Sequence, residues 1–320
     1  MLTNFSFVKK IFILCLLTFH VFSFSTLAQK RLAITMDDVP NTRQFEEDGF
    51  KPFLLHLIDS LGVEVAIFIN EGKIYDTDFE SANFQLLYDW VSSKRVRAGN
   101  HTFSHLRYSE VELEAFQSDI IKGAAITAEL CKKQDKTYQY FRFPYNDLGK
   151  DSLQQVRIAK WLKEQNYLLT PFTIESSDWM FNYLYINDLK NGDTLSAKQT
   201  AAAYLKHTSA NLHFFDSLAT AVYQRDIPHI FLCHDNKLNA DYFNELLEIF
   251  RQSGFEIIDL DAVMQDEIYK QQSYYYGRAG FSWIYRWVRS HDLRKEMMQA
   301  EPEVQSYFDR YHDLIQKKKI

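Results

Sequence analysis

The chain has 320 residues, and its 36 Lys and Arg against 42 Asp and Glu give a formal net charge of −6. That balance lacks the basic footprint of a nucleic-acid binder and does not favour an anionic membrane surface. Aromatic residues make up 16% of the chain, which suits a large core and also offers sugar-stacking platforms.

Lys9-Lys10 precede an apolar and aromatic run over 11–24, and Thr26-Leu27-Ala28 is a small-x-small ending. The pattern predicts a cleavable secretory signal over 1–28, cut before Gln29. An uncleaved N-terminal anchor is the alternative, for which the apolar run is short. Cys15 lacks the small residues before it that a lipoprotein signal needs. Cleavage leaves 292 residues with a charge of −8, exported to the periplasm or the exterior, with no stable membrane span. Of the remaining cysteines, Cys233 lies in an apolar run and reads as a buried free thiol. A Cys131–Cys233 bridge stays open, because sequence does not fix their separation.

Strand-like and helical runs then alternate. Leu32 to Met36 reads as a strand, Phe50 to Leu61 as a helix and Val63 to Ile69 as a buried strand. Phe84, Leu87, Tyr88 and Val91 form a helical stripe, and Val96 to Gly99 a short strand. Val111 to Leu130 reads as one helix, Tyr138 to Phe143 as a strand, Leu153 to Gln165 as a helix, and Tyr167 to Ile174 as one or two strands. Residues 180–195 are rich in Asn and Asp and read as a loop. Ser196 to Tyr223 is a long helix, Ile227 to Cys233 a strand, Ala240 to Ser253 a helix and Phe255 to Ile258 a last strand. The alternation predicts an α/β fold with a mainly parallel sheet. From about 261 the character changes to an aromatic stretch around Trp283, Tyr285 and Trp287, then a charged helical tail. The expected organisation is a signal over 1–28, a catalytic domain over 29–260 and a helical C-terminal extension over 261–320. The aromatics of that extension are expected to pack on the main domain.

The residues that could carry chemistry follow the strands, as sites in α/β folds do. Thr35-Met36-Asp37-Asp38-Val39-Pro40 ends a strand in two adjacent carboxylates, one able to hold a metal and its neighbour free to act as a base. Taken alone, such a pair before Pro is ordinarily a solvated turn or a cap. His101 and His105 have the i, i+4 spacing that puts two imidazoles on one face of a helical turn. Two His and one Asp make a plausible catalytic zinc site. Phe141-Arg142-Phe143-Pro144-Tyr145 places an Arg at a strand end. Glu175-Ser176-Ser177-Asp178-Trp179 sets a carboxylate beside a Trp, and Ile230-Phe231-Leu232-Cys233-His234-Asp235 ends a buried strand in a His. His56, His207, His213, His229, His291 and His312 show no comparable arrangement and read as surface or structural.

Taken in order across roughly 31 to 260, these five segments make the chain resemble the polysaccharide deacetylase family (NodB-homology, carbohydrate esterase family 4). The resemblance departs at Val39, at Asn146 (the family has Gly at both) and at Glu175 (usually Asp), and Met36 replaces a Phe. It implies a distorted, incomplete (β/α) barrel with the helical extension appended. It implies one divalent metal held by Asp38, His101 and His105, zinc first, with cobalt and nickel also suited to such ligands. Asp37 would be the base, Arg142 its anchor, and the Tyr145 backbone N–H an oxyanion donor. His234 would be the acid, Asp178 its partner, and Leu232 and Trp179 the acetyl pocket. The implied activity is removal of acetyl groups from an N-acetylated amino sugar. The alternatives are an O-acetyl esterase on the same site, or a carbohydrate-binding protein on a decayed fold. The implied partner is an acetylated carbohydrate. Sequence leaves the oligomeric state open.

Overall fold

A computed structural model describes residues 29–318; the predicted signal over 1–28 lies outside the described residues. Eight strands form one sheet: β1 (Lys30–Val39), β2 (Val65–Ile69), β3 (Val96–Asn100), β4 (Tyr140–Phe141), β5 (Leu168–Leu169), β6 (Ile174–Glu175), β7 (His229–His234) and β8 (Phe255–Ile257). The order is β5-β4-β3-β2-β1-β7-β6, with β8 added to the start of β1, and every pairing is parallel. Central strands β1, β2 and β7 are buried on both faces, which is why they read as continuous apolar runs rather than alternating ones. With helices in the crossovers, the sheet curls into an incomplete (β/α) barrel. Its seam lies between β5 and β6, which do not pair with each other.

Several expected elements change. The helix expected over Val111 to Leu130 is two, Leu113–Lys122 and Thr127–Lys133, broken at Gly123. A Cβ at Gly123 would lie 2.5 Å from the Thr102 backbone, so a loop packs where a continuous helix would run. In the helix Glu80–Ser92 the buried face is Leu86, Leu87, Trp90 and Val91, while Phe84 and Tyr88 point outward. The loop expected over 180–195 is mostly a helix, Asp178–Lys190, with Met180, Phe181, Leu184 and Tyr185 buried against the helix Thr194–Tyr223. Its polarity misled because Asp188 is itself buried, bonded to Thr200 and Arg310. Cys131 and Cys233 are both buried and free.

Trp283, Tyr285 and Trp287 are buried in the same core as the sheet. Among the described residues no helix is long and apolar enough to cross a membrane.

Candidate active site

Successive side chains of a regular strand point to opposite faces, so Asp37 and Asp38 should not share a site. A bulge resolves this. Met36 pairs with Ile67 and Val39 with Ile69, so β1 spends one more residue than β2 between these points. Asp38 takes up the extra residue in a left-handed conformation, φ 64°. The bulge re-aims one carboxylate, and both reach the cavity at the carboxyl ends of the strands. On the other side of β1 the register sets Asp37 directly across from His234.

His101 and His105 do not lie on a helical turn, as their spacing suggested. His101 follows β3 directly, and residues 101–107 are irregular, with Thr102 and His105 both at positive φ. One neighbouring and two remote side chains hold this loop. Asn70 donates to the His101 carbonyl, Asn100 accepts from the Thr102 amide at 2.7 Å, and Asp119 accepts from the Ser104 amide at 3.0 Å. Asn100 is a local partner, two residues from Thr102, but nothing in the spacing signals Asn70 or Asp119, which become visible only once the chain is folded.

The loop brings the imidazoles to Asp38. His105 Nε2 lies 3.2 Å and His101 Nε2 3.8 Å from Asp38 Oδ1. One ligand atom from each of the three residues lies within 4.8 Å of the others. His101 Nδ1 is 2.8 Å from the Arg142 carbonyl, so that nitrogen carries the proton and Nε2 offers a lone pair toward Asp38. Burial pushes the His101 pKa down, and that of His105 down to about 4, so both are neutral near pH 7. Burial works against the Asp38 charge, but Lys73 and the surrounding histidines outweigh it and hold the carboxyl below its ordinary range. Asp38 Oδ1 is buried without a hydrogen-bond partner among the described residues. Lone pairs facing one another around an unsatisfied carboxylate oxygen fit a divalent cation, and the N2O donor set suits zinc.

Asp37 stands differently. Its Oδ1 accepts from Arg142 Nη1 at 2.8 Å, and Oδ2 faces His101 Nε2 at 3.8 Å. Arg142 is fully buried, and its other donors go to Thr35 Oγ1 and the Thr170 and Pro171 carbonyls. One Asp37 oxygen is thereby fixed while the other stays toward the site.

On the far side of β1, His234 Nδ1 bonds Asp178 Oδ1 at 2.8 Å. Asp178 Oδ2 accepts from the His234 amide, Asn236 Nδ2 and Asn239 Nδ2, at 2.8, 2.7 and 2.7 Å. The two asparagines were missed at the sequence level; their signal is Asn236 as the cap of the helix Lys237–Gln252, with Asn239 one turn on. Burial alone would strip the His234 proton, but the Asp178 carboxylate reverses this and raises its pKa to about 10. Glu175, at the family's Asp position, accepts from the Ser177 amide at 2.8 Å, and burial raises its pKa.

The cavity measures about 720 Å³ and is lined by Asp37, Asp38, His101, His105, Tyr145, Trp179, Leu232 and His234. Arg142 and Asp178 sit directly behind Asp37 and His234. Asn146, where the family has Gly, has φ 49°, a conformation Asn tolerates better than most residues. Tyr275, Arg278, Gly280 and Tyr311 also line the cavity, and no sequence motif pointed to them.

The sequence model described as Polysaccharide deacetylase matches residues 25–170. That match supports reading the chain as a divergent polysaccharide deacetylase. Peptidoglycan-N-acetylglucosamine deacetylase of Bacillus cereus is 24% identical over 178 residues, 55% of this chain and 54% of that protein. The chain therefore spans about half the length of that curated relative. Among solved structures, a carbohydrate esterase family 4 pseudoenzyme from Bacillus anthracis superposes with a TM-score of 0.50 at 11% identity, covering 74% of this chain and 66% of its own. A mutant of that pseudoenzyme with restored activity gives 0.50 at 12%, covering 74% and 68%. These likenesses establish the shared fold.

Proposed function

We propose that this chain is an exported, metal-dependent N-deacetylase that acts on an acetylated amino sugar. The observation carrying this reading is the opposite setting of three imidazoles on one cavity: His101 and His105 gathered around an unsatisfied Asp38 oxygen, His234 bonded to an Asp178 whose oxygens are already engaged by protein donors. A decayed binding module has no use for that division. The matched relative's name, peptidoglycan-N-acetylglucosamine deacetylase, supports the same substrate class.

Asp38, His101 and His105 would hold the ion, zinc first, with cobalt or nickel suited to the same donors. Bound there, it supplies Lewis-acid polarisation of the acetyl carbonyl and activates water. The chain's own groups do the rest. Asp37, one oxygen fixed by Arg142, takes the proton of the attacking water at its other oxygen. The Tyr145 backbone N–H stabilises the developing oxyanion. Leu232 and Trp179 enclose the acetyl methyl and exclude water around it. His234 gives its proton to the departing amine, and the Asp178 network holds the imidazolium in place until it does. The apportionment is a catalytic domain over 29–260 with an extension over 261–320, behind a signal over 1–28.

Acetate release from a panel of N-acetylated and O-acetylated oligosaccharides, with and without a chelator, tests the reading. Chelator-sensitive release from the N-acetylated members is expected. Release from O-acetyl groups alone would make the chain an esterase, and no release from any member would overturn the proposal.

A further inference from the structure

The C-terminal segment enters the fold at the barrel's open seam. The Trp283 amide donates to the Phe172 carbonyl at 2.9 Å, and Ser282 Oγ donates to the Thr173 carbonyl at 2.7 Å. Phe172 and Thr173 lie between β5 and β6, so the segment occupies the interval those strands leave unpaired. Just before this point the chain runs against the Tyr145 turn. A Cβ at Gly280 would lie 1.8 Å from the Tyr145 carbonyl oxygen and 3.1 Å from Asn146 Cβ. Only a residue without a side chain can sit there with the turn where it is.

Arg286 grips the same turn from the other side. Its side chain is fully buried, and Nη2 donates to the carbonyls of Asn146 at 3.1 Å and Ala279 at 2.6 Å. One guanidinium thus ties the strap to the turn. The rings of Tyr275, Phe281 and Trp283 lie 5.1 to 5.6 Å from it and support the buried charge through their faces. The turn needs holding. Tyr145 and Asn146 are consecutive non-glycine residues at φ 57° and 49°, a conformation that persists only where the surroundings enforce it.

We propose that residues 279–286 form a positioning strap for the Tyr145–Asn146 turn, with Gly280 and Arg286 as its positioning residues. The extension is then part of the catalytic apparatus rather than an appendage. The catalytic half of this inference rests on the deacetylase reading, in which the Tyr145 amide faces the oxyanion; the structural half does not.

Gly280→Ala in the full chain tests it, read by hydrogen–deuterium exchange and by kinetics. Exchange in peptides covering 143–149 should speed at least about 10-fold, with peptides around His101 and His234 unchanged. In metal-loaded protein, kcat should fall by about 10²-fold, the scale of losing one oxyanion donor, while KM moves less and metal stoichiometry holds. Arg286→Met should show the same pattern, and Arg286→Lys should recover part of it; these two decide the matter if Gly280→Ala does not fold. A lower melting temperature with kcat and exchange at wild-type values would mean the segment only braces the barrel, and would overturn the proposal. If the wild-type chain releases no acetate, the deacetylase reading fails, and the exchange comparison alone then decides the strap.

Discussion

His101 and His234 face the same cavity from opposite sides of β1, and their surroundings push them in opposite directions. Around His101 and His105, burial dominates over the nearby carboxylates of Asp37 and Asp38, and Asp38 is itself left with an unsatisfied oxygen. Around His234 the carboxylate of Asp178 is fully committed, with four hydrogen bonds from protein donors, and it wins against burial. On the proposed reading, one side of the cavity is completed by a cation, while the other is complete as it stands and carries a proton. A histidine's role here is set by whether its carboxylate is already spoken for.

The comparison breaks most visibly at the cation side. His101→Ala should remove both the bound ion and turnover, reducing acetate release to background, as elemental analysis and an acetate assay on one preparation would reveal. Active protein without metal would refute the division. A smaller effect is expected between the two sides. Asp37→Asn keeps the shape but cannot accept the proton of water, so turnover should fall roughly 10²–10⁴-fold with metal content near normal. If the ion is lost instead, Asp37 and Asp38 have exchanged roles.

The proton side is sharpened by choice of leaving group. An amine must be protonated to leave, whereas an aryl ester's phenolate needs this much less. His234→Ala should therefore cripple amide cleavage far more than cleavage of an activated aryl acetate. Equal losses, with unchanged circular dichroism, would assign His234 to geometry rather than proton delivery.

Asp178→Asn should act more weakly, and through pH. Asp178 holds the His234 pKa near 10, above its ordinary 6.5, so the acid stays protonated well into the alkaline range. Without that carboxylate the imidazole gives up its proton at lower pH, and the basic limb of the pH–rate profile should move toward neutrality. The sign for stability is the same. The pair stabilises the fold fully below pH 6.5 and loses that contribution as pH rises through about 10. Urea unfolding of the metal-free protein across this window should show a decline that Asp178→Asn lacks.

Much of this was legible in the sequence because chemistry-bearing residues sit at the ends of apolar runs, and the runs themselves mark the strands. What was not legible depends on contacts distant in sequence. The spacing of His101 and His105 fits a helix as well as a loop, and remote partners such as Asn70 and Asp119 help decide between them. The carboxylates of Asp37 and Asp38 were expected to share a cleft, but the bulge that lets them do so leaves no mark in the composition. The helix Asp178–Lys190 looked like a loop because its buried Asp188 meets Arg310 from the far end of the chain. Likewise Gly280 and Arg286 carry no motif; their meaning lies in the Tyr145 turn they touch.

The division between the two sides is tested most directly by stripping the protein with a chelator and titrating zinc back while acetate release from an N-acetylated oligosaccharide is followed. The account predicts that release is absent from the stripped protein, rises in proportion to added zinc and levels off at one equivalent per chain, with Asp37→Asn binding that equivalent but staying inactive. Release that is undiminished in stripped protein, or that never returns at one equivalent, would contradict it.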